Sequence, residues 1–246
     1  MLGFSVLGGI ASANELQSPM TGKAKTDKPL IAFMNPVEQQ IEGWTVHVDP
    51  ALLEGKYAEE GARAIQMLKS HLFFISLLAP KRRLEELRTL EIWIERKHAS
   101  LTTMAYHPSA GWLTKNGHDP RLEKKVHIPI ASQLLDRKQL MKHPMVILHE
   151  LAHSYHDQIL GFNELRIKKV FAAAKKSGTY NKVLSDRGQE VEHYALSNHK
   201  EYFAESTEAY FNRNDFYPFV QAELKEHDPK MHALMMEIWG DLRRGK

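Results

Sequence analysis

Apolar residues recur at two periods along this chain, and the changes of period mark its elements. Trp44-Thr45-Val46-His47-Val48 alternates apolar with polar, the period of a half-buried strand, and Asp49-Pro50 ends it. Over residues 57–79 the period becomes helical: Ala62, Ile65, Leu68, Leu72 and Ile75 share a face, and Ala79-Pro80 stops the helix. Residues 89–95 alternate again and predict a second strand. Residues 101–113, with Tyr106, Pro108, Gly111 and Trp112, predict a bent strand or loop. Residues 126–130 predict a third strand, whose Pro129 places it near a sheet edge or at a strand end. Helical patterns follow near 164–176, 199–213, 216–226 and 229–240. Strands first and helices later predict an α+β fold.

Between the last strand and those helices lies a further helical stretch. Ile147, Leu148, Leu151, Tyr155 and Ile159 form its apolar stripe, and Pro144 stands near its first turn, where a missing N–H matters least. It contains His149-Glu150-Leu151-Ala152-His153, an H-E-x-x-H sequence. Residues four apart lie on one helical face, so both imidazoles can reach one metal ion. Glu150 is rotated about 100° from the first histidine and falls beside that ion, placed to act as a base. A helix with two solvated histidines is the plain alternative. The apolar flanks oppose it, because buried imidazoles and a carboxylate need partners.

A catalytic zinc takes three protein ligands and keeps one position open. The longer pattern H-E-x-x-H-x-x-G-x-x-H is excluded, since His156 and Ile159 occupy its last two fixed positions. His156 remains as a histidine close to the same face, for an outer-shell or substrate contact. A glutamate nineteen residues beyond His153 is also missing, that position being Ala172. The helix from Lys200 carries Glu201, Glu205 and Glu208 on one face, and Phe203, Thr207, Tyr210 and Phe211 on another. The three glutamates lack the lysines at i+4 that an exposed acidic stripe often has. Glu201 is read as the third metal ligand. Glu205, one turn on, suits the acceptor for the outer nitrogen of a ligand histidine. Glu208 is read as exposed or salt-bridged.

A distant H-E-x-x-H followed by Glu201-Tyr202-Phe203-Ala204-Glu205 resembles the catalytic domains of the anthrax toxin lethal factor group, within the gluzincin metallopeptidases. The resemblance covers roughly the last hundred residues. It implies a zincin-like fold and peptide-bond hydrolysis, with zinc on His149, His153 and Glu201. It also implies a tyrosine seven residues before the glutamate ligand, here Tyr194, as oxyanion donor. Asn198 matches the same segment, and Asp157, similar to the acidic residues that follow the second histidine in that family, is expected in the outer shell of the site. The expected enzyme is a zinc-dependent endopeptidase in which zinc lowers the pKa of a bound water toward roughly 7 and Glu150 acts as general base. A non-catalytic zinc-binding protein and an amidase acting on cell-wall peptides stay open as alternatives.

Composition adds limits. A net charge of +3 is too weak and dispersed for nucleic acid, and no run of eighteen apolar residues is present to span a membrane. With no cysteine there is no disulfide framework, thiol nucleophile or cysteine-held zinc. Of fourteen histidines most must be bystanders; His47 and His127 are read as cleft-lining or core, His71 as packing and His199 as facing away from Glu201. Met145, Met235 and Met236 are read as core filler. The apolar start 1–13 ends in Ala11-Ser12-Ala13 and reads as a signal peptide lacking its basic region. Residues 14–30 read as a linker and 31–246 as the metallopeptidase domain. Export to the periplasm or medium is therefore expected, with a peptide or protein as substrate.

Overall fold

The computed structural model describes residues 33–243. The signal-peptide and linker readings fall on 1–30, outside that range. The architecture is α+β with a small mixed sheet, as the pattern predicts. Strand β1 (Val37–Ile41) pairs antiparallel with β2 (Trp44–Val48). The pattern does not reveal β1, because Glu38, Gln39 and Gln40 interrupt its apolar positions. Its turn has positive φ at both Glu42 and Gly43, the conformation that suits a two-residue hairpin. Any Cβ on Gly43 would sit 2.5 Å from Nε of Arg88, which donates to the Glu42 carbonyl.

The long helix α1 (Ala58–Leu78) crosses from β2 to the parallel β3 (Glu91–Ile94). Its core stripe is Gly61, Ala64, Leu68, Leu72 and Ile75, so the face is shifted from the predicted one and Ala62 is exposed. Gly61 is required by contact, because a Cβ there would lie 1.9 Å from the Leu52 carbonyl oxygen. The short helix α2 (Lys81–Leu87) follows α1. Segment 101–113 becomes the two-residue strand β4 (Ala105–Tyr106) and helix α3 (Ala110–Lys115). Strand β5 (Lys125–Ile128) lies inside the sheet, parallel to β3 and antiparallel to β4, and β4 forms the edge. Pro129 sits just past the end of β5, so the strand-end option holds and the edge option does not.

Val46, Val48, Ile92, Ile94, Val126 and Ile128 are fully buried in the main core. After helix α4 (Arg137–Lys142) comes α5 (Val146–Tyr155), with every residue buried. It widens into a π-helical turn, His156–Leu160, stopped by Gly161 at φ 82°. Ile159 lies on that turn and is exposed, so the apolar stripe ends at Tyr155. Helices α6 (Leu165–Ser177), α7 (His199–Phe211), α8 (Gln221–His227) and α9 (Pro229–Trp239) complete the fold, with the small hairpin β6 (Val183–Leu184) and β7 (Glu190–Val191) after α6. Helix α7 packs against both α5 and α9, and residues 202–211 are all buried. Met145 and Met235 are core residues, whereas Met236 is exposed. No helix among the described residues is long and apolar enough to cross a membrane.

Candidate metal centre

Two helices bring the site together. Helix α5 supplies His149, Glu150 and His153, and α7 supplies Glu201. Asn198 caps α7, its side chain accepting from the backbone N–H groups of Lys200 and Glu201. Glu201 thus stands in the first turn, where the positive helix end favours a carboxylate. His149 Nε2 lies 3.1 Å from His153 Nε2 and 3.3 Å from Glu201 Oε2. His153 Nε2 lies 3.2 Å from the same oxygen. For zinc bonds of about 2.0–2.1 Å, atoms so spaced subtend about 100° at the ion, within the tetrahedral range.

The donor chemistry agrees. His149 Nδ1 is 2.6 Å from Glu208 Oε1 and donates its N–H to that carboxylate. In the neutral ring Nε2 then carries a bare lone pair, aimed at another imidazole nitrogen and a carboxylate oxygen. Such a cluster calls for a cation at its centre, a proton or a metal. Burial opposes charge on His149, but the hydrogen-bonded carboxylates of Glu201 and Glu208 outweigh it and raise its pKa well above the ordinary value. Glu201 is held far below the usual carboxylate range, because its bonds to His149 and His153 overcome its desolvation.

The outer shell differs from the sequence expectation. Glu208, read there as exposed or salt-bridged, is fully buried, so the exposed option fails and the paired one holds: it accepts from His149 and, at 2.9 Å, from His143 Nε2. Glu205, expected in that role, lies 3.8 Å from His149 Nδ1, beyond hydrogen-bond reach. Its pKa is pushed up by burial and by the Glu208 charge, whereas the bonds from His143 and His149 keep Glu208 below the ordinary range despite its burial. The difference is one of helix rotation: where α7 crosses α5, Glu208 faces the outer edge of the His149 ring. His143, His149 and Glu208 also form a compact trio. At 2.6 Å, His149 Nδ1 and Glu208 Oε1 would subtend only about 80° at a metal with bonds of about 2.0–2.1 Å. A hydrogen bond accounts for that spacing better.

Glu150 is anchored from the sheet. Its Oε2 accepts the backbone N–H of Tyr106 at 2.8 Å. His107 exchanges backbone bonds with Lys124 and Lys125, so the antiparallel alternation turns Tyr106 toward the free edge. The Tyr106 hydroxyl donates to Asp157 at 2.6 Å, and Lys124 Nζ reaches the same oxygen at 2.5 Å. Asp157, expected in the outer shell, bonds Tyr106 and Lys124 instead of a histidine of the cluster; the π turn carries it to the edge strand, where it secures the residue that holds Glu150. His156 is fully buried among Phe162, His199 and Phe203, with neither ring nitrogen bonded. Burial drives its pKa down to about 3, so it is a neutral packing group and not an outer-shell contact. His199 donates to the Phe162 carbonyl, away from Glu201.

Tyr194 opens the short turn Tyr194–Ser197, is half exposed and lines the cleft beside Glu201. The Glu201 charge, aided by burial, raises its pKa, which keeps the hydroxyl protonated as a donor. The cleft measures about 640 Å³ and reaches from Thr102–Pro108 on the strand side to His143, Glu205 and Asp215. Sequence reasoning missed His143 and Tyr106. Only the nearness of His143 to α5 in sequence hinted at the first, and a backbone N–H leaves no mark in side-chain pattern. His47 pairs with Glu91 at 2.6 Å, away from the cleft; His127 is fully buried in the sheet and His71 lies half-buried on α1. No protein family, no curated protein and no solved structure matches this chain.

Proposed function

We propose that this chain is a zinc-dependent endopeptidase of the zincin-like, gluzincin kind, with His149, His153 and Glu201 as metal ligands. The observation that carries the reading is the triangle of three ligand atoms 3.1–3.3 Å apart beside a carboxylate tethered to an edge strand. A zinc ion bound there supplies a Lewis acid and a water of lowered pKa. Glu150 takes a proton through the oxygen that Tyr106 does not occupy and later delivers it to the leaving amine. Tyr194 donates its O–H to the oxyanion as charge develops, a contribution of about 2.7–4 kcal/mol for one such donor. The edge of β4 faces the cleft, where an extended peptide would lie as an added strand, meeting β4 beside the Tyr106 N–H that Glu150 already holds.

The zinc-binding-only alternative needs neither a tethered Glu150 nor a tyrosine beside the ligands. The test combines metal analysis with cleavage of a broad peptide library. About one zinc per chain, lost in Glu201→Ala, together with hydrolysis abolished by Glu150→Gln, is the expected result. Full zinc occupancy in Glu201→Ala refutes the ligand set, and equal turnover by Glu150→Gln refutes the catalytic reading.

A further inference from the structure

A second cavity, about 510 Å³, adjoins the metal cleft. Thr102, Thr103, Ala105, Tyr106 and Pro108 line both, so segment 102–108 is their common wall. The metal cleft carries charged side chains, among them Glu150, Glu201, Lys142 and Lys200. The second cavity has none, although charged residues make up 26% of the chain. Its chemistry comes from Leu101, Pro108 and Trp112, with the hydroxyl residues Ser100, Thr102, Thr103 and Ser109 also in its lining. Trp112, on α3, is half exposed, and the His107 ring lies parallel to it at 6.4 Å with an interplanar angle of 16°. Burial together with His127 and His118 lowers the His107 pKa to about 3, so that ring adds no charge near neutral pH.

We propose that this cavity is a substrate subsite that takes one aromatic or large aliphatic side chain of a peptide lying along β4, with Trp112 as its stacking wall. The inference rests on the peptidase reading for its substrate class. Side chains of a peptide added beside β4 alternate between the two faces of the sheet, so every second one shares the face of Ala105 and His107, both of which line the cavity. A neutral, aromatic-walled cavity excludes acidic and basic side chains through uncompensated desolvation. It favours an aromatic ring through burial and offset stacking on the indole.

Trp44, Trp93 and Trp239 are buried, so among the four tryptophans an aqueous quencher reads Trp112. The experiment follows acrylamide quenching of metal-free protein, where no peptide is cut, during titration with blocked all-alanine peptides and the same peptides with one phenylalanine moved along them. Protection of Trp112 at about tenfold lower concentration by a phenylalanine peptide is the expected result. Equal protection by alanine and phenylalanine peptides, or none by either, overturns the subsite. In zinc-loaded protein, the phenylalanine-over-alanine preference at one position should fall to near unity in Trp112→Ala and be restored in Trp112→Phe. Hydrolysis without that preference refutes the subsite and leaves the peptidase reading standing. Protection without any hydrolysis keeps the subsite and refutes the peptidase reading.

Discussion

Replacing Glu208 by glutamine asks which carboxylate holds the first ligand histidine. Glu208 Oε1 accepts two N–H groups, from His149 at 2.6 Å and from His143 at 2.9 Å. Hydrogen bonds to charged groups contribute about 1.5–3 kcal/mol and neutral ones about 0.5–1.5, so each bond loses about 1 kcal/mol on neutralisation. Only the His149 bond acts on a proposed metal ligand. Its weakening raises the zinc Kd about fivefold, and Glu208→Leu, which removes it, approaches a hundredfold. The His143 share falls on folding stability. Glu205→Gln leaves zinc affinity within about twofold, since Glu205 is 3.8 Å from the same nitrogen and makes no hydrogen bond to it. The assay is competition with a chromophoric chelator at alkaline pH, on variants first shown to be folded by circular dichroism. In mildly acid buffer the gap narrows, because Glu208 also favours the proton that zinc must displace from His149. Zinc affinity unchanged in Glu208→Gln but weakened about fivefold in Glu205→Gln would refute the assignment.

The other expectations concern catalysis, pH and the edge strand. Glu150→Gln and Tyr194→Phe should both retain zinc; the first should lose about 10²–10⁴ in rate. Tyr194→Phe should lose less and chiefly in kcat, and wild-type kcat in steady-state kinetics would remove the oxyanion role. Glu205, with its raised pKa, holds a proton in the folded state that the unfolded chain releases above about 4.3. Its contribution is therefore fully present below that pH and is lost as pH rises. Metal-free protein should lose up to about 1.4 kcal/mol per pH unit in that window, as followed by urea unfolding, and Glu205→Gln should flatten the slope. Asp157→Asn should release Tyr106 and loosen Glu150, lowering kcat at unchanged zinc stoichiometry; unaltered kcat would show that Tyr106 needs no anchor.

The sequence was most informative where the geometry is local. His149, Glu150 and His153 lie on one helix, and an α-helix sets their relative directions with no help from the rest of the chain. Glu201 in the first turn of α7 is local in the same sense, although its Asn198 cap emerged only in the structure. Strands at 44–48, 91–94 and 125–128 follow from alternation, but their order does not, and β1, with three polar residues in a row, leaves no period to read. The approach of Glu201 to two histidines about fifty residues earlier depends on how α5 and α7 cross. That crossing also decides between Glu205 and Glu208, less than one helical turn apart, which spacing alone cannot separate. Burial of every α7 residue from Tyr202 to Phe211 hides the answer further, since a helix enclosed on all sides has no polar face to point toward the site. Asp157, Tyr106 and His143 meet their partners only through the π turn, the sheet edge and the approach to α5. Those contacts join residues distant in sequence, and packing of the whole chain sets them.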